Sequence, residues 1–295
     1  MQLGATFPQT EIGDDPGAIR AYAQAVEGMG FDYIVAYDHV VGVDTEARPD
    51  YLPRGRKPAY TKASTFHEPF VLFAYLAAIT SKLGLATGVI ILPQRQTALV
   101  AKQAAEIDLL SGGRLRLGVG IGWNEVEYEA LGMNFHNRGA RSEEQISLLR
   151  EFWTKDAVTS HGKWHTVNAA GINPLPVQRP IPIFLGGSAE AVVQRIARLA
   201  DGWFINGALT QENKSAIEKM RQLAREAGRD PASIGVEGAL RYLPATPAED
   251  YVKAAKAWKD VGATHLAVNT MNAGLKSVEE HVVALAMVKK AVGQL

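Results

Sequence analysis

Cysteine is absent from the 295 residues, and its absence removes disulfides, thiolate nucleophiles, cysteine-ligated metals and iron–sulfur clusters together. Net charge is absent too. The 31 lysines and arginines balance 31 aspartates and glutamates, which argues against nucleic acid or an anionic membrane as partner and for a small-molecule substrate. No stretch approaches the roughly 20 apolar residues that span a bilayer, and the opening MQLGATFPQT has neither a basic head nor a long apolar core. The chain therefore reads as soluble and cytoplasmic. Metal-ligand spacing is missing as well: the seven histidines include no HExxH-like pattern, so no metal site is expected.

What is present is a β/α rhythm, clearest between Leu83 and Trp123. Val89, Ile90, Ile91 and Leu92 form an apolar run without polar alternation, as in a parallel strand covered on both faces, and Pro93 ends it. A helix follows in which Leu99, Gln103 or Ala104, Ile107 and Leu110 lie about a turn apart, closed by Gly112 and Gly113. Arg114 then opens a second strand ending in GVGIGW. The same alternation runs along the whole chain and yields eight strands and about eight main helices. The expected fold is α/β, a (β/α)8 TIM barrel forming one domain over residues 1–295, with irregular rim insertions at 42–66 and 154–182.

A barrel of this kind carries its chemistry at the C-terminal ends of its strands. Asp38 and His39 stand there, after the second strand, where histidine can exchange a proton near neutral pH and a carboxylate can orient it. Gly120 and Gly122 end the GVGIG strand and allow close approach of a flat ring or of a neighbouring backbone. Gly186-Gly187-Ser188 is a strand-to-helix turn whose free N–H groups suit a phosphate, unless Ser188 merely caps its helix. Arg48, Arg54 and Arg56, in the first insertion, are cations available to an anionic tail or to solvent.

Three segments in order, FDYIVAYDHV, LATGVIILPQRQTALVAKQAAEIDLLSGGRLRLGVGIGWNEVEYEALG and PIPIFLGGSAEAVVQRIARLADGW, resemble the bacterial luciferase-like superfamily of flavin and deazaflavin enzymes. The forms IILPQRQT and GVGIGWNEVEYEALG are similar to the branch that uses coenzyme F420. The resemblance implies a barrel, often a homodimer, with the cofactor at the C-terminal rim. It also implies a non-proline cis peptide at a bulge in the third strand, here Gly88–Val89, supporting the ring; a ring-facing polar residue at His39 beside Asp38; and a phosphate turn at Gly186, Gly187 and Ser188. Some sugar-phosphate dehydrogenases of the family carry glutamate where this chain has Trp123, so that substrate is not implied. The expected activity is hydride transfer between F420 and a small organic substrate. The alternatives are an FMN-dependent monooxygenase, a non-catalytic flavin-binding protein, and a barrel enzyme acting on a phosphorylated substrate without flavin.

Overall fold

The computed structural model describes residues 1–51 and 59–293. Arg54 and Arg56 lie outside the described residues. The elements run β1 (Gln2–Thr6), α1 (Pro16–Gly28), β2 (Tyr33–Ala36), α2 (Pro69–Ile79), β3 (Gly84–Thr87), β4 (Ile90–Ile91), α3 (Thr97–Ser111), β5 (Leu115–Gly120), α4 (Glu125–Ala130) and α5 (Arg138–Thr154). They continue with β6 (Val158–His161), β7 (Thr166–Ala170), β8 (Ile183–Gly186), α6 (Glu190–Leu199), β9 (Gly202–Phe204), α7 (Gln211–Glu226), β10 (Gly235–Arg241), α8 (Ala248–Asp260), β11 (His265–Asn269) and α9 (Val278–Val292). Local chemistry sets several of these boundaries. Asp15 accepts from the Gly17 and Ala18 N–H groups ahead of Pro16 to start α1, and Gly112 at φ +71° ends α3.

The strands pair in the order β3-β2-β1-β11-β10-β9-β8-β5-β4, all parallel, and pairing of β3 with β5 closes the sheet. β3 and β4 are two pieces of one stave, so the closed barrel has eight, as the sequence predicts. Leu85 pairs with Leu115 but Ile90 pairs with Val119, so five steps on one strand match four on the other. The extra residue is a bulge at Gly88–Val89, and that peptide bond is cis. The expectation of a continuous strand from Val89 to Leu92 is corrected here. Only Ile90 and Ile91 pair, and Leu92 opens a 3₁₀ turn with Pro93, which has no N–H to give a sheet.

Inward-facing side chains fill the barrel in layers. At its floor the Arg116 guanidinium lies between the rings of Tyr33 and Phe184, with centroid distances of 4.6 and 4.5 Å, and pairs with Glu237. Above it Val35, Ala86, Phe204 and Ala267 make a small apolar plug, against which Val89 packs. The larger core lies between the sheet and the helices, around Ile34, Leu85, Leu117 and Trp203. A barrel plugged from below leaves its open side at the C-terminal rim.

Two expectations about the outside change. The buried side of α3 is Val100, Ala101, Ala104, Ala105, Ile107 and Asp108, whereas Leu99 and Leu110 are 51% and 62% exposed. Small alanines let α2 and α5 approach α3 closely, which displaces the larger leucines to the surface. The 154–182 insertion does not cover the rim. It forms an antiparallel hairpin, β6 with β7, along the outer flank of α3 and α5. Thr97 holds the tip of that hairpin through His165 at 2.8 Å, and Asp108 holds its return through Gln178 at 2.6 Å.

Candidate active site

Going up the barrel wall, the positions inside change from buried to half-exposed. Val35, Ala86 and Ala267 are buried, while Tyr37, Gly88, Val89, Gly186, Ala239 and Asn269 are part-exposed. These six form a shallow mouth with small residues on its floor. Its polar groups are tied in place: Asn269 donates to the Tyr37 hydroxyl at 3.0 Å, and burial pushes the Tyr37 pKa up to about 12, so the phenol stays protonated. Small residues at the mouth, with one carboxamide and one phenol at its side, suit a planar ring.

The glycines beside this mouth, Gly120 and Gly122 among them, admit the adjoining bulged strand. A Cβ at Gly120 would stand 2.5 Å from Val89 Cγ2, one at Gly122 would stand 2.8 Å from Ile91 Cγ2, and one at Gly186 would stand 3.0 Å from Val89 Cγ1. They make room for the side chains of the bulged strand. The bulge is thereby seated by β5 and β8, and Val89 itself presents the surface at the mouth. Gly88 is likewise required, since a Cβ there would meet Val35 and Phe204.

His39 sits at the rim after β2, stacked on Tyr60 at 3.7 Å with Phe66 edge-on at 4.7 Å. Its Nδ1 lies 3.4 Å from Oε1 of Glu127, a residue of α4 whose side chain is 1% exposed. The same carboxylate accepts from the Val40 N–H at 3.0 Å and from the Gln94 amide at 3.1 Å. Burial raises the Glu127 pKa, but contacts from His39, Gln94 and Val40 outweigh it and hold the group below its ordinary value. It is ionised at neutral pH. Asn124, which caps α4, also donates to the Tyr60 hydroxyl at 2.5 Å and so fixes the ring under His39.

Asp38 does not orient His39, contrary to the sequence-based expectation. One of its oxygens accepts from Arg95 at 2.8 Å and the other from the Ile91 N–H at 3.0 Å. Arg95 continues to Glu68 at 2.8 Å, the residue that caps α2. Asp38 is thus an anchor tying the β2 loop to the bulged strand. Glu127 was missed because an acidic helical segment just beyond Trp123 reads as a solvated face.

In the Gly186-Gly187-Ser188 turn, Gly186 is half-buried at the end of β8 while Gly187, at φ +121°, and Ser188 are exposed. Ser188 does not cap α6: the cap is Ala189, which has no side-chain hydrogen bond. The Ser188 hydroxyl has no partner among the described residues. Gly187 is held from behind, its carbonyl accepting from the Trp203 indole at 2.8 Å. Of the described insertion arginines, Arg48 is paired with Glu129 at 2.9 Å. The cation that sequence reasoning missed is Arg241, the exposed last residue of β10, which has no ion pair among the described residues. It shares the inward row of Glu237 and Ala239, a two-residue period that the sequence does carry.

Comparison with known proteins agrees with this architecture. The FMNH2-dependent dimethylsulfone monooxygenase of Pseudomonas putida is 31% identical over 262 residues, 88% of this chain and 66% of that enzyme. An uncharacterized protein of Mycobacterium tuberculosis is 37% identical over 209 residues, 70% of this chain and 71% of that protein. Among solved structures, the F420-dependent tetrahydromethanopterin reductase of Methanopyrus kandleri superposes with a TM-score of 0.77 at 16% identity, covering 99% of this chain and 98% of that one. An F420-dependent secondary alcohol dehydrogenase bound to an F420–acetone adduct gives 0.78 at 19% identity, with coverages of 99% and 98%. At these identities the two superpositions establish the fold. The family described as luciferase-like monooxygenase matches residues 2–284, and with the closed barrel and its bulged third strand, the chain belongs to that family of oxidoreductases.

Proposed function

We propose that the protein is an F420-dependent oxidoreductase that transfers a hydride between the deazaflavin and a small organic substrate at the barrel mouth. The observation that carries this reading is an acid–base group at the rim: His39 clamped by aromatic rings, one nitrogen against a buried carboxylate, beside a floor suited to a flat ring. When bound, the coenzyme would supply the hydride-accepting or hydride-donating carbon. The chain would do the rest. Val89 and Ala239 would support the ring, the Gly187–Ser188 turn would take the phosphate, and Arg241 would meet the anionic tail. His39 would take up the proton that the substrate releases when it is oxidised, and would return it when the substrate is reduced.

The 31% identity to an FMNH2-dependent enzyme supports a second reading, monooxygenation with reduced FMN on the same scaffold. Anaerobic titration with F420 and with FMN separates the two. Tighter binding of F420 is expected, and Ser188→Ala should weaken it by about 10- to 100-fold, the worth of one hydrogen bond to a charged group. Tighter FMN binding, with oxygen uptake after reduction, would overturn the F420 reading. Unchanged affinity in Ser188→Ala would remove the phosphate from this turn.

A second copy of the chain is the partner we assign to the outer face of α2 and α3. The α2 sequence PFVLFAYLAAI is almost wholly apolar, with Val71 exposed on α2 and Leu99 and Leu110 exposed on α3. Sedimentation should give a dimer, and Val71→Glu with Leu99→Glu should give monomer. A monomeric parent protein would refute the assignment.

A further inference from the structure

We propose that Glu127 is the positioning residue of the site: it holds His39 as the tautomer protonated on Nδ1 and so presents Nε2 as the nitrogen that exchanges the proton. The consequence for catalysis rests on the proton-transfer role proposed for His39; the tautomer itself does not.

Four observations combine. The Glu127 side chain is 1% exposed, so its charge is screened little by solvent. Oε2 is engaged by Gln94 and Oε1 by the Val40 N–H, which fixes the carboxylate before the imidazole is considered. His39 Nδ1 is buried beside Oε1 with no other hydrogen-bond partner, while the side chain as a whole keeps 19% exposure. The accessible edge is therefore the one carrying Nε2. Tyr60 and Phe66 hold the ring plane, which leaves rotation about the ring axis as the remaining freedom.

The electrostatics select one tautomer. A lone pair on Nδ1 facing a carboxylate 3.4 Å away would be repelled, whereas an N–H there is attracted, and closing by a few tenths of an ångström completes the bond. Among the described residues, no cation competes from the neighbouring elements. Arg95, next to Asp38 in the adjoining anchor, already serves Asp38 and Glu68, and the group facing His39 from the 59–66 segment is the Tyr60 phenol, whose pKa burial raises. A free imidazole is a mixture that favours the proton on the other nitrogen, so the pocket must impose the reverse.

The test is nitrogen NMR of protein labelled with 15N-histidine at a pH where the imidazoles are neutral. His39 is assigned by the signal lost in His39→Gln. In the parent protein, Nδ1 should resonate as a protonated nitrogen and Nε2 as an unprotonated one. In Glu127→Gln the Nε2 signal should move toward the protonated range, because a carboxamide can turn either face to the ring. Glu127→Asp, charged but shorter, should keep the parental tautomer if Glu127→Gln fails to fold. An Nε2–H tautomer in the parent, or an unchanged spectrum in Glu127→Gln, would overturn the proposal. The parental tautomer together with full hydride transfer in His39→Gln would refute the proton role alone and leave the positioning intact.

Discussion

Hydride transfer should slow by about 10² to 10⁴ in His39→Ala, the range lost when a positioned acid–base group is removed. Single turnover at saturating coenzyme is the proper measurement, because it separates chemistry from binding. Folding stability should change little. The imidazole packs on Tyr60 at the rim, outside both apolar cores, and Glu127 keeps its bonds from Val40 and Gln94 when the ring is gone. A parental rate would exclude His39 as the acid or base. A rate lost only through weaker coenzyme binding would make it a ring contact.

Arg95→Met should destabilise the protein by about 3 to 5 kcal/mol, the usual cost of leaving a buried charge unpaired. The Asp38 side chain is 1% exposed and would retain only the Ile91 N–H, while Glu68 would lose its link from the α2 cap to the bulged strand. Burial opposes the Arg95 charge, but Asp38 and Glu68 more than compensate and raise its pKa, so the guanidinium stays charged. Adding Asp38→Asn to Arg95→Met should recover much of the loss, since the charge left unpaired is then only the part-exposed Glu68 carboxylate. Urea unfolding measures both variants, with a lower midpoint and an unchanged slope expected for the single one. A midpoint equal to the parent's would show that the Asp38–Arg95–Glu68 chain does not hold the rim together.

The barrel was legible in the sequence because its signal is local. Each buried strand is a short apolar run, each helix has its period, and Pro16, Gly112 and Pro93 mark boundaries within a few residues of where they act. What could not be read depends on long-range partners. Asp38 and His39 are adjacent in sequence, yet Asp38 is claimed by Arg95, 57 residues away, and His39 lies against Glu127, 88 positions on. Periodicity misplaced the buried side of α3 because it ranks leucine above alanine, whereas close helix packing favours the small residue. It also put 154–182 over the rim, since two short strands with exposed faces carry little apolar signal of where they pack. Gly120 and Gly122 were recognised as sites of close approach, but what approaches is decided by the bulge that turns Val89 and Ile91 toward them.

The most direct test of the account is the structure of the protein with F420 bound. The ring is expected over Val89 and Ala239 at the mouth of the barrel, with the His39 Nε2 edge facing the substrate side and the phosphate at Gly187 and Ser188. A ring seated away from the Gly88–Val89 bulge, or a phosphate held elsewhere than the turn before α6, would contradict it.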